Sequence, residues 1–334
     1  MANLSYQKGD HTLSAGIWIE RTAGNSRNAN YNQAPPNGKS PPLTAPGPFD
    51  LYGPPIRITN LSRWRVESIQ AFGEYVYRPS EKLSVRAGVK AVDFKTSGGG
   101  IGPDEAPNGV LRTREAFLPQ LEVAWRPTNR SAFFLELTRT AAGFRVAARG
   151  NIGPVSSAWA VDSQKQFDNA LPVLKPETAW QLTTGASYDF GKASISLGAY
   201  YAKVANRLLN GTSGPQFAPV RSVGVVPRSQ LLGADARVMV RPWNWLTASQ
   251  SVSISKFKYL DDLVVDGETQ PLKGRFQPGY AGLSLITDVT ARYQRVEAGL
   301  NSTYYADQPF TYSNDIFVPS FWQVNARASY TLPA

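Results

Sequence analysis

Residues able to do covalent or acid–base chemistry are scarce in this sequence. It contains one histidine, His11, and no cysteine. Without thiolates there is no disulfide, no thiol nucleophile and no cysteine-based metal site. His11 closes Lys8-Gly9-Asp10-His11, a tight turn by composition, and no second imidazole exists to share a metal or to serve a nucleophile elsewhere. Gly98-Gly99-Gly100-Ile101-Gly102 has the glycines of a phosphate loop but lacks the Lys-Ser/Thr and the helix that must follow, so it reads as a flexible loop. Asn210-Gly211-Thr212 fits a glycosylation sequon by spacing alone. No catalytic residue, metal ligand or cofactor is therefore expected, and no enzyme. The side chains left with something to offer are non-covalent binders in long Gly-, Pro-, Asn- and Ser-rich stretches. Tyr31, Trp159, Phe167, Arg207, Phe217, Arg221 and Tyr312 are the candidate ligand contacts, aromatic and basic groups that suit an anionic, aromatic-rich ligand.

Those stretches are held by segments with a clear period. Short turns are expected at Lys8-Gly9-Asp10-His11, Arg78-Pro79-Ser80-Glu81, Arg126-Pro127-Thr128-Asn129, Asp189-Phe190-Gly191-Lys192, Arg241-Pro242-Trp243-Asn244 and Gln294-Arg295. They alternate with long loops over about 24–62, 96–114, 141–176, 204–229, 258–278 and 306–319. Between turns, every second residue is apolar, the mark of strands with two unlike faces. Leu83, Val85, Ala87, Val89 and Ala91 oppose Ser84, Arg86, Gly88 and Lys90. Leu283, Leu285, Val289, Ala291 and Tyr293 oppose Ser284, Asp288, Thr290 and Arg292. About thirteen such segments of about 10–13 residues occur, longer than the roughly 5–6 of soluble strands and enough to cross a bilayer at a tilt.

The other face carries Glu74, Arg86, Lys90, Glu122, Glu136, Arg139, Asp235, Arg237, Asp288, Arg292, Glu297 and Arg327. Charges of both signs cannot face lipid, so this face must line a polar lumen. Tyr75, Tyr77, Trp125, Tyr188, Trp243, Trp245, Tyr293 and Tyr330 gather beside the short turns, as an interfacial girdle would. Composition agrees: 18% of residues are charged, 11% are aromatic, and mean hydropathy is −0.29. The formal charge is +10 and the pI about 9.7. Lys and Arg are scattered rather than clustered, which argues against nucleic acid as a partner. The fold expected is all-β: a transmembrane antiparallel up-and-down barrel with outer-membrane lipid around it.

Several segments, in order along the chain, resemble the TonB-dependent receptors of the Gram-negative outer membrane. Phe117 to Asn129 is similar to a family strand and turn with the Leu118-Pro119-Gln120-Leu121 and Trp125-Arg126-Pro127-Thr128-Asn129 steps. Gly143-Phe144-Arg145 and Leu174-Lys175-Pro176-Glu177 resemble the family segments that end one strand and begin the next. Tyr200-Tyr201 with Asn206-Arg207, the Leu232 to Leu246 stretch with Asp235 where the family favours Glu, and Val318 to Tyr330 continue the series. The resemblance implies part of a barrel of about 22 strands with its plug domain absent from this stretch. It reads as one domain over residues 1–334, truncated at both ends, in the Gram-negative outer membrane. It further implies active uptake of a scarce ligand such as a ferric siderophore, with TonB and a plug domain as partners in the parent receptor. A porin-like channel without energy coupling is the alternative class.

Overall fold

The structure, a computed structural model, describes residues 2–30, 57–100, 107–145, 157–213, 220–265 and 268–332. Its strands are β1 (Ala2–Lys8), β2 (His11–Asn30), β3 (Arg57–Ser80), β4 (Leu83–Gly100), β5 (Gly109–Thr128), β6 (Ser131–Ala141), β7 (Thr178–Asp189), β8 (Ala193–Ser213) and β9 (Val220–Trp243). They continue as β10 (Leu246–Tyr259), the short β11 (Leu263–Val265) and β12 (Glu268–Gln270), then β13 (Leu283–Tyr293) and β14 (Val296–Tyr305). The short β15 (Gln308–Pro309) and β16 (Phe317–Val318) precede β17 (Phe321–Tyr330), and a single helix, α1 (Gln164–Ala170), lies between β6 and β7. The thirteen long strands form one antiparallel meander, each beside its neighbours in sequence. Among the described residues β1 pairs with β2 alone and β17 with β14 alone. No described helix is long and apolar enough to cross a membrane, and the wall is made of strands.

The register keeps the two expected faces apart. Val289 lies opposite Leu300 and Leu300 opposite Ala326, while Asp288 faces Asn301 and Asn301 faces Asn325. Leu121, Leu135, Leu182, Leu197, Val238, Val296 and Leu300 are all exposed. In water this would be an untenable surface; in a bilayer it is the surface that dissolves in lipid. All eight girdle aromatics are exposed too, Trp243 stacking on Trp245 at 5.3 Å. On β2 and β3 the apolar outward rows run from His11 opposite Tyr77 up to Ile19 opposite Ile69. Nine residues at about 3.3 Å each, tilted by about 45°, rise about 20 Å, close to the roughly 25 Å apolar band of such walls. Polar groups within the outward rows can find partners there: Thr287 Oγ1 donates to Gln250 Oε1 at 2.6 Å.

The inward face is ionic. Arg86 lies between Glu74 at 3.6 Å and Glu122 at 3.2 Å, and Gln120 donates to Glu136. Glu297 pairs with both Arg292 and Arg327, and Asn301 donates to Asp288. Tyr200 lies across from Gly233, where a Cβ would sit 2.3 Å from the ring, so any other residue there would have to displace the tyrosine.

Two expectations need correction. Arg139 lies opposite Trp180 and shares the outward parity of Leu135 and Leu137. It stands near the end of β6, where its guanidinium turns to Glu115 at 3.0 Å and to the Phe117 carbonyl. The second concerns strand length. β3 and β9 have 24 residues each, β8 has 21, and β4 runs to Gly100. Much of 96–114 and 204–229, expected as loop, is paired strand. Beyond the bilayer nothing forces one face to be apolar, so these extensions lose the period that marks a strand in sequence.

Candidate functional site

At the end opposite the short turns, loop segments fold back over the inward face. The threonines of β4 and β5 fasten the first of them: Thr96 Oγ1 donates to the Phe144 carbonyl at 2.7 Å, and Thr113 Oγ1 to the Ala142 carbonyl at 3.1 Å. Both hydroxyls are buried and share the parity of Arg86 and Glu122, so 142–144 crosses the lumenal side. Burying a hydroxyl without a partner would be costly, and each here has one.

On this seat rests a small core. Trp159 and Phe167 are fully buried, stacked at 5.6 Å, and Trp159 meets Trp64 edge-on at 5.3 Å. Leu111, Ala158, Val161, Ala170 and Val223 complete the cluster. Trp159 Nε1 donates to the Gly98 carbonyl at 3.1 Å, which satisfies the indole N–H in its dry site. Gly109 leaves room for the Phe167 ring, since a Cβ there would stand 2.3 Å from it. α1 supplies Phe167 and Ala170. It starts where Ser163 accepts from the Gln166 N–H, and Ser163-x-x-Gln166 is the spacing of a capping box. Asn210 clamps the other side: its Oδ1 accepts from Ser157 N at 2.6 Å and its Nδ2 donates to Ser157 O at 2.9 Å.

A second cluster lies across the mouth. Leu209, Val226, Tyr259 and Leu272 are buried, with Leu263 and Tyr312 against them. Tyr259 donates to Gln277. Asn314 repeats the Asn210 device, accepting from Phe276 N at 2.6 Å and donating to Phe276 O at 2.9 Å. Arg207 bonds both Glu177 oxygens at 3.0 Å and stands over the Phe257 ring at 5.3 Å. Burial pushes the Tyr312 phenol up from its ordinary value. The Arg228 guanidinium holds the Asp261 carboxyl below the usual carboxylate range, and so ties the connection after β10 to β9.

The seven candidate contacts thus part company. Tyr31 and Phe217 lie outside the described residues, and only the backbone of Arg221 is described, opposite Thr212 in the β8–β9 pairing. Trp159 and Phe167 are core residues of the folded-back loop, so a ligand reaches neither ring while that core is closed. Arg207 and Tyr312 are half-buried on the lumenal side of the mouth, within one aromatic neighbourhood that includes Phe257 and Tyr259. Asn314, Thr96 and Thr113 went unnoticed in the sequence, and Asn210 stood out there only for its sequon spacing. Only the capping spacing at Ser163 gave a local sign of the cap.

The arrangement can bind and enclose. It offers aromatic faces, one guanidinium with a matched carboxylate, and backbone amides. Among the described residues no three His, Asp or Glu side chains are placed to hold a metal. His11 is at the other end of the wall, its Nδ1 2.6 Å from the Tyr75 hydroxyl.

Comparison with known proteins fits this architecture. The copper transporter OprC superposes with a TM-score of 0.70 at 13% identity, over 98% of this chain and 47% of its own. The siderophore receptor PiuA from Acinetobacter baumannii gives 0.69 at 14% identity, over 98% and 48%. The ferric citrate transporter FecA in its unliganded form gives 0.64 at 13% identity, over 99% and 46%. The chain therefore spans about half the length of the solved structures it resembles. No curated protein matches it. The family model described as TonB dependent receptor-like, beta-barrel matches residues 2–333, so this chain belongs to the TonB-dependent receptor β-barrel family of the Gram-negative outer membrane.

Proposed function

We propose that the chain is a stretch of barrel domain, residues 1–334, of an importer that takes up a scarce metal chelate, a ferric siderophore being the leading class. The folded-back mouth carries this reading. A passive pore gains nothing from two dry clusters and two asparagine clamps laid over its lumenal face, whereas a receptor needs a shaped surface there. TonB and a plug domain are the partners the reading requires in the parent receptor. Arg207 and Tyr312 are the proposed contacts, with Phe257 beside them. Because Glu177 already matches the Arg207 charge, an anionic ligand must displace that carboxylate or share the guanidinium with it.

The resemblance to a copper transporter, a siderophore receptor and a ferric citrate transporter supports a chelated metal as cargo. The test is uptake of radiolabelled ferric chelates by cells carrying the parent gene, with and without a proton-motive uncoupler. Saturable uptake that the uncoupler abolishes is the expected result. Uptake that is linear in concentration and indifferent to the uncoupler would instead establish a porin-like channel.

A further inference from the structure

The lipid-facing side of β10, β13, β14 and β17 carries an island of polarity. Gln250 lies opposite Thr287 and Thr287 opposite Ser302, and the row ends in Val238 on one side and Val324 on the other. The outward row below is Val240, Ala248, Val289, Leu300 and Ala326. The row above is Ala236, Val252, Leu285, Tyr304 and Trp322. Gln250 is five residues above Trp245 of the girdle, about 12 Å up a strand tilted by about 45°. The three polar side chains therefore stand near the middle of an apolar band roughly 25 Å tall. Over β5–β8 the corresponding outward positions are Leu121, Leu135, Leu182 and Leu197. Thr184 also faces outward there, but its hydroxyl is satisfied by the Phe134 carbonyl at 2.9 Å.

The island has hydrogen-bonding capacity that this chain does not use. Gln250 Oε1 accepts from Thr287, and Nε2 gives one proton to the Ser251 carbonyl at 3.0 Å. A primary amide has a second N–H and a second lone pair, and both are left over. Ser302 Oγ has no hydrogen-bond partner among the described residues. Hydrocarbon supplies neither donors nor acceptors, so these groups gain from any protein surface that does. Depth rules out a headgroup, which lies beyond the apolar rows on either side. We propose that this facet is an interface with a second copy of the chain inside the membrane. The chemistry of the amide selects a copy: a primary amide is its own complement, since two of them exchange N–H···O=C bonds reciprocally. A two-fold axis, which sets one patch against the same patch, brings Gln250 to its counterpart. Small side chains around the island, Ala248, Ala291, Ala298, Ala326 and Ala328, let the second wall come close. The inference rests on outer-membrane placement and not on which ligand is imported.

The experiment is disulfide cross-linking in intact outer membranes, with the protein produced from the parent gene. This sequence has no cysteine, so Ser302→Cys places a single thiol in it, at the island. Leu197→Cys, exposed on the same wall but away from the island, is the control. Mild oxidation with diamide should give a product of twice the mass from Ser302→Cys and none from Leu197→Cys. Adding Gln250→Leu and Thr287→Val to Ser302→Cys removes the amide and its neighbour, and the cross-linked yield should fall about tenfold. Heat-shifted gel mobility verifies folding of each protein, and Gln250→Leu alone serves if the triple variant does not fold. Absence of a dimer from Ser302→Cys would overturn the proposal, as would equal yields from both cysteines, the mark of crowding. Cross-linking of Ser302→Cys to a protein of another mass would replace the second copy by a different partner. An undiminished dimer after loss of the amide would remove the polar island from the contact and overturn the proposal as well.

Discussion

The wall and the mouth of this protein solve burial in opposite ways. In β7, β8 and β14 the leucines Leu182, Leu197 and Leu300 are exposed, while on the other face Glu297 pairs with Arg292 and Arg327. At the mouth Trp159, Phe167, Tyr259 and Val226 are as buried as in any water-soluble core. The same chain meets hydrocarbon on one stretch and water on the other. Where lipid is the solvent, an apolar side chain needs no protein neighbour and only the backbone must be paired. Where water is the solvent, the chain must fold over itself to dry its aromatic rings.

The contrast is sharpest at Trp159. Trp159→Ala should cost about 3–5 kcal/mol of local stability, through lost transfer energy and a cavity beside Trp64 and Phe167. Hydrogen exchange at 157–175 should accelerate while the amides of β13 and β14 stay protected; melting of both together would merge the two regions into one cooperative unit. Leu197→Arg probes the wall from the other side. Its outward position should make the arginine cost about 2–4 kcal/mol in urea unfolding from vesicles, and a tolerated arginine would mean that this face is not against lipid.

Removing the Asn210 clamp is gentler. Asn210→Ala leaves both polar backbone groups of Ser157 without their side-chain partner, a loss of about 1–3 kcal/mol confined to the mouth. Exchange at 157–159 should rise and that of β8 near Leu197 should not. Smallest is the response to acid. Because the folded-state pKa of Asp261 is lowered by Arg228, its stabilising effect is full above the ordinary carboxylate range and disappears as pH falls through the lowered value. The connection from 260 to 265 should therefore loosen only in distinctly acidic solution, read by exchange or amide shifts, and Asp261→Asn should flatten that response.

Legibility divides along the same line. Turn-forming residues between the alternating segments marked short turns at 8–11, 78–81, 126–129, 189–192, 241–244 and 294–295, and the structure turns at 9–10, 81–82, 129–130, 190–192, 244–245 and 294–295. The paired extensions of β3, β4, β5, β8 and β9 beyond the bilayer stayed hidden, because Arg63, Arg65, Ser97 and Gly99 occupy a face with no reason to be apolar. Trp159 and Phe167 looked like ligand contacts because an aromatic residue in a Gly- and Ser-rich stretch carries no mark of what it packs against. Arg139 was assigned by type rather than by position, and its neighbours Leu135 and Leu137 had the parity to place it.

What the sequence determined by itself is the wall: strand, turn, facing and girdle. Lipid imposes its demand on each strand separately, so every hairpin records it in its own residues. What only the tertiary structure decided is the mouth. Trp159 finds the Gly98 carbonyl 61 residues away and Asn210 finds Ser157 across 53. Contacts between such distant segments depend on which loop lies over which strand, and no local pattern of residues encodes that.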